Sequence, residues 1–280
     1  MERNSGERSP SAHLSTPKAL STQSWLWHRP GSPSHPLAVG TFAVLIAVLL
    51  AGVLTFFLAL SGTAGNWDAV WRYREVFFKG WLLTIVLSAT SLVLSLIIAA
   101  LIVALRRAPL VPARAAGSLV VEVIRGSPFL VLILILFYVV APGIGITDRL
   151  LVGLVALSLF SGAYLAEMLR AGIESVAASQ LDSARAIGLT PSQTYRFLII
   201  PQALKQTLPP LAGQFASLIK DSSLLSVIGL SEFTHAAQQI NSATYSTIEV
   251  FLPLAVGYLI LTLPISFLAR YLEERFRYDY

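Results

Sequence analysis

The stretch "GWLLTIVLSATSLVLSLIIAALIVAL", residues 80–105, contains no charged side chain. A bilayer hydrocarbon core of ~30 Å needs about 20 residues of helix, and an uncharged run of about 18 or more marks a candidate span. On either side of this run, Leu37–Leu60 and Val250–Ala269 meet the same criterion, as does Gly126–Thr147 around its apolar centre Phe129–Val140. Leu150–Ala166 is shorter but within the reach of snorkelling flanks. Leu211–Leu230 is long enough but interrupted by Lys220-Asp221. These runs predict an all-α integral membrane protein with about six transmembrane helices. Composition agrees: of 280 residues, 55% are hydrophobic and 12% charged, with a mean hydropathy of +0.70. A soluble domain carries about 25% charged residues.

Lys and Arg concentrate on one side of the alternating segments, and that bias sets orientation. With both termini inside, the cytoplasmic segments 1–36, 106–125, 167–210 and 270–280 hold most of the basic residues. The outer segments hold Arg72, Arg74, Lys79 and Arg149, and 231–249 holds none. This asymmetry accounts for the basic balance without any nucleic-acid partner. Residues 1–36, rich in Ser, Pro and His, read as a disordered cytoplasmic tail. A cleavable signal peptide is the competing reading, but its apolar region would span about 7–15 residues and Leu37–Leu60 is longer. The chain has no Cys, which excludes disulfides and thiolate metal sites. His13, His28, His35 and His235 are scattered without metal-ligand spacing, so no metal site is expected.

The cytoplasmic segment "LDSARAIGLTPSQTYRFLIIPQAL", residues 181–204, is polar yet strongly ordered by its local chemistry. Leu181–Ile187 suits a short helix, and Gly188 suits the left-handed position that ends one. Thr190, Pro191 and Gln193 form the start signal of a second helix, with Thr190 as cap and Gln193 as its capping-box partner. Pro201 predicts that this second helix stops near Ile200. A DNA-reading helix-turn-helix and a lipid-surface helix pair were weighed against a rigid knob presented to a cytoplasmic protein. Tethering at both ends and the scarcity of basic residues favour the knob.

From Asp182 the chain reads D-S-A-R-A-I-G, then nine residues, then Leu198-Ile199-Ile200-Pro201. This resembles the E-A-A-x-x-x-G-(nine)-I-x-L-P signature of permease subunits of binding-protein-dependent ABC importers. "FFKGWLLTIVLS" (77–88), "EVIRGSPFLVL" (122–132), "SGAYLAEMLRAGIESV" (161–176), "PQALKQTLPPL" (201–211) and "LIKDSSL" (218–224) resemble the histidine/glutamine-type branch, which moves polar amino acids. The similarity spans residues 76–275. It implies a five-helix type I permease core, with Leu37–Leu60 as an extra amino-terminal helix, in a bacterial inner membrane. It also implies a coupling loop at 177–205 that docks an ATPase through Asp182, Ser183, Ala184, Gly188, Leu198, Ile200 and Pro201. Asp182-Ser183 replaces the usual Glu-Ala, and Gly213 stands where the branch often has Asn.

No G-x-x-x-x-G-K-[ST] phosphate loop occurs. ATP and Mg²⁺ are therefore expected on a partner ATPase and no cofactor on this chain, which is not expected to be an enzyme. The resemblance also implies an extracytoplasmic substrate-binding protein and a second permease subunit. Charges within or near spans mark pathways or internal pairs. Lys220 and Asp221 are candidates for the pathway or its gate, or else for the cytoplasmic interface if the span starts later. The i,i+3 pairs Glu122/Arg125 and Glu167/Arg170 are candidates for gating or interfacial anchoring. Ser161-Gly162-Ala163 is a small-residue patch suited to close helix packing. The rival class, a secondary transporter or channel acting without an ATPase, predicts an inverted repeat and broken binding helices. No convincing repeat is evident, and that class leaves the ordered loop unexplained.

Overall fold

The computed structural model describes residues 67–276 and isolated helical positions between 44 and 59. The expected tail 1–36 and the rest of the expected helix Leu37–Leu60 lie outside the described residues. The chain divides into two units, Met1–Phe57 and Leu58–Tyr280, and the helices named here belong to the second. Among the described residues there is no strand.

A short helix α1 (Trp67–Arg72) leads into α2 (Arg74–Arg106), whose 33 residues span about 50 Å. Proline-free and apolar, α2 is the spine. Thr84, Ser88, Ser91, Ser95 and Ala99 recur along it at helical spacing and are fully buried. Such small side chains let a neighbouring backbone approach closely. The neighbour is α5 (Arg149–Glu174), which starts where the Asp148 carboxylate accepts the Leu150 N–H at 2.8 Å. Ser95 Oγ reaches across to the Ser158 carbonyl at 3.2 Å, and the Ser161-Gly162-Ala163 patch is buried against α2.

Between these two helices lie α3 (Val111–Gly126) and α4 (Phe129–Ile135). α4 continues through a π turn at Leu136–Val140 into Ala141–Gly143. The expected span Gly126–Thr147 begins at a sharp bend, and its apolar centre Phe129–Val140 lies in one continuous helical stretch. The chain bends by 109° between Val111–Gly126 and Phe129–Gly143. Pro128 forces its predecessor out of the helical region, and Ser127 is extended at φ −103°, ψ 141°. Much of the expected linker 106–125 is accordingly helix.

The loop after α5 forms α6 (Ala178–Ala186) and α7 (Pro191–Thr194). A π turn at Tyr195–Ile199 then runs directly into α8 (Ile200–Asp221). The expected stop near Ile200 is therefore corrected as well. In the widened turn the Ile200 N–H reaches the Tyr195 carbonyl. This larger turn relieves the clash that Pro201 would make in a regular helix. A 3₁₀ segment (Ser222–Ile228), α9 (Phe233–Thr244) and α10 (Thr247–Phe276) complete the unit.

Three apolar cores line up along α2. Phe77 packs with Phe233, Ile240 and Val250; Leu87 with Phe129, Leu157 and Leu225; Ile102 with Val121 and Leu165. Among the described residues, α2, α5 and α10 are each long and apolar enough to cross a membrane, and the bent pair makes a fourth at most. The sequence suggested about six. α8 has the length, but Gln202, Lys205, Gln206, Gln214, Lys220 and Asp221 lower its apolar character.

Candidate functional site

The 177–205 segment folds as a closed corner. Gly188 has φ +81°; its N–H donates to the Arg185 carbonyl and the Leu189 N–H to the Ala184 carbonyl, both at 3.0 Å. That is a Schellman arrangement, with apolar Leu189 and Ala184 at the positions it favours. The next helix opens with a complete capping box. The Thr190 N–H donates to Gln193 Oε1 at 2.9 Å, and the Gln193 N–H donates to Thr190 Oγ1 at 3.3 Å. Both helix ends therefore have their backbone groups satisfied within the corner itself.

An apolar groove of ≈ 410 Å³ lies on this corner, lined by Ser183, Ala184, Ile187, Leu189, Phe197 and Leu198. Ile187 is 77% exposed and Phe197 64% exposed, so the groove presents two large apolar side chains outward. Of the seven residues marked by the signature, Ser183, Ala184 and Leu198 line the groove. Asp182 pairs with Arg185 at 3.0 Å, both largely exposed. Such solvated pairs contribute little stability. Ile200 and Pro201 start α8, and Gly188 sits at the turn.

A second constellation joins α2, α3 and α5. Glu167 Oε2 accepts Arg106 at 2.9 Å, while Oε1 accepts Arg170 at 2.5 Å and faces Arg125 at 3.9 Å. Arg170 also pairs with Glu174. Arg125 lies over the Tyr164 ring at 5.2 Å. These groups edge a cavity of ≈ 420 Å³. The Glu167/Arg170 pair expected from spacing is present. The Glu122/Arg125 pair is not: Glu122 is exposed and lies in no ion pair among the described residues, because Arg125 turns towards α5. Spacing did not reveal Arg106 as a partner, since it is 61 residues from Glu167 and the two meet only through tertiary packing.

Lys220 and Asp221 sit at the far end of α8, about 30 Å along its axis from Ile200. Lys220 is exposed, Asp221 is half-buried, and neither lies in an ion pair among the described residues.

Glu232 escaped the sequence reading. Its side chain is fully buried and caps α9, accepting the Thr234 N–H at 2.9 Å and the His235 N–H at 2.8 Å. Tyr258 donates to the same carboxylate at 3.1 Å, while the Phe233 N–H donates to Thr84 Oγ1 at 3.1 Å. One small polar cluster thus ties α9 to α10 and α2. A Glu directly before the apolar run of α9 was the available signal. Burial pushes the Glu232 carboxyl up from 4.5 to about 7, even though these donors favour its charged form. A raised folded value means that the group's stabilising contribution is full below the unfolded value and is lost as pH rises through the folded one. The thermal midpoint in detergent is therefore expected to fall between about pH 5 and about pH 8, and Glu232→Gln to flatten that slope. An unchanged slope in the variant would refute the assignment.

Comparison with known proteins places this architecture. Residues 97–278 match the model of a family described as "Binding-protein-dependent transport system inner membrane component". A probable glutamine ABC transporter permease protein of Bacillus subtilis is 36% identical over 209 residues, covering 74% of this chain and 94% of that protein. A glutamate/aspartate import permease protein of Escherichia coli is 29% identical over 219 residues, covering 75% and 97%. A crystal structure of an amino acid ABC transporter with histidines superposes with a TM-score of 0.71 at 32% identity, covering 76% of this chain and all of that one. The family model matches well over half of the sequence, and the chain belongs to the family of binding-protein-dependent transport system inner membrane components.

Proposed function

We propose that this chain is the permease subunit of an ATP-driven importer of polar amino acids. It forms part of the substrate path and receives its driving force at the 177–205 corner. The observation that carries the reading is that corner: both helix ends are capped internally, and an apolar groove faces outward with no partner from this unit filling it. A docking element that must transmit force needs such internal order, because a loose loop would absorb the movement. Exposed apolar side chains in a polar rim suit a protein partner. An ATPase subunit is that partner, carrying ATP and Mg²⁺. An extracytoplasmic binding protein delivers the amino acid, and a second permease subunit completes the path. The corner and both termini face the cytoplasm, following the Lys/Arg bias.

Within this reading, Glu167 with Arg106, Arg125 and Arg170 ties the helix ends nearest the corner. Lys220 and Asp221, at the opposite end of α8, stand at the path or its outer gate. The relatives named for glutamine and for glutamate/aspartate support polar amino acids as the substrate class. The test is purification from native membranes, followed by reconstitution in proteoliposomes. The expected result is an ATPase retained on the chain and hydrolysis stimulated by amino-acid-loaded binding protein. Uptake driven by a proton or sodium gradient through this chain alone would overturn it.

A further inference from the structure

The corner touches the membrane helices in two ways. It continues covalently into α8, and it also reaches sideways to the end of α2. The Arg107 guanidinium donates to the Tyr195 hydroxyl and lies over the Tyr195 ring at 5.6 Å. Tyr195 opens the π turn that joins the corner to α8. A π turn carries an extra residue per turn, so Tyr195 is out of register with the regular face of α8. That shift accompanies its aim at α2 rather than along α8.

Arg107 is the residue next to Arg106, and both lie at the last turn of α2. Arg106 donates to Glu167 at 2.9 Å, and Arg125 of α3 and Arg170 of α5 converge on the same carboxylate. The path from corner to cluster therefore runs Tyr195, Arg107, one peptide step, Arg106 and Glu167. Every link is a direct contact or a covalent bond. A rigid helix end cannot move Arg107 without moving Arg106. Displacement of Tyr195 then pulls on the Glu167 carboxylate, where ion pairs from α2, α3 and α5 meet. None of the signature positions supplies this lateral link: Asp182 and Arg185 pair only with each other, and Ser183, Ala184 and Leu198 face the groove.

We infer that Tyr195 and Arg107 are positioning residues that pass movement of the ATPase-docking corner to the Glu167 ion-pair cluster, and so set when the helix ends there separate. This rests on the docking reading of the corner but assigns Tyr195 a different task from docking. A hydrogen bond to a charged group is directional and can be broken and remade, which suits a contact that must report position. The stacked ring keeps the pair together.

The test reconstitutes the full complex, with its ATPase and binding protein, in proteoliposomes and uses radiolabelled glutamine as the probe. Uptake per ATP hydrolysed is compared for the wild type, Tyr195→Phe, Arg107→Gln and the double variant. Each single variant is expected to lose about tenfold in uptake per ATP, the scale of one charge-assisted hydrogen bond. The double variant should be no worse than the poorer single one, because both remove the same contact. Arg107→Lys, which keeps a donor, should recover part of the loss. Unchanged uptake per ATP in both single variants would overturn the inference, as would losses that multiply in the double variant. Loss of bound ATPase from Tyr195→Phe would also overturn it, by making Tyr195 a docking residue. A wild-type chain that retains no ATPase would instead defeat the docking reading, and that is visible before any substitution is made.

Discussion

Gly188→Trp is expected to reach the membrane in normal amount and to lose at least about tenfold in uptake per ATP, the equivalent of about 1.4 kcal/mol. Two effects combine at this position. With φ at +81°, any L side chain there adds backbone strain of roughly 1–2 kcal/mol. A Cβ built on Gly188 meets nothing within 4 Å, so a side chain there leaves the backbone into open space. Its bulk would project from the turn of the corner, close to where the apolar groove opens, and act on whatever docks there. Gly188→Ala separates the two effects, since it carries the strain without the bulk. It should keep most of the uptake, whereas Trp should leave ATP hydrolysis running with little transport. Measurement of both rates in proteoliposomes checks this, and full uptake by the Trp variant would remove Gly188 from the docking face.

What the sequence made legible follows from how local each signal was. Thr190, Gln193 and Gly188 act within five residues of one another, and the corner they specify is the one observed. The long uncharged runs likewise marked α2 and α10 with little ambiguity. Where a second local feature competed, the reading failed. Pro128 starts the helical stretch Phe129–Gly143 at a bend of 109°, and the expected linker 106–125 before it is largely helix, which apolar content alone did not mark. Pro201 should have ended a helix, but the π turn before it widened the backbone enough to keep the helix going. The Glu167 cluster depended on a different scale. Glu167/Arg170 is a neighbour pair on one helix surface, whereas Arg106 and Arg125 arrive from two other helices and are set by tertiary packing. Glu122 and Arg125 had suitable spacing too, but Arg125 found a half-buried carboxylate, where an ion pair is screened less than on an open surface.

Gly162→Leu is expected to damage the fold. A Cβ at this position would lie 2.7 Å from Ile98 Cγ2, 3.0 Å from Ile98 Cβ and 3.3 Å from the Ser95 carbonyl. Ile98 is β-branched and its χ1 is stiff, so it cannot rotate out of the way cheaply. The Ser95 carbonyl is fixed backbone, and the Ser95 side chain already binds Ser158 across the same interface at 3.2 Å. The only remaining response is for α2 and α5 to separate. Overpacking of this kind costs roughly 1–3 kcal/mol, and for a chain of this size that lowers the thermal midpoint by roughly 2–6 °C. The disturbance also reaches the ion-pair cluster, because Glu167 lies about 7.5 Å further along the α5 axis. Gly162→Ala should already show part of the loss, since its Cβ makes the same 2.7 Å approach. If Ile98→Ala costs as much in the Gly162→Ala background as in the wild type, the close approach of α2 and α5 at this point is wrong.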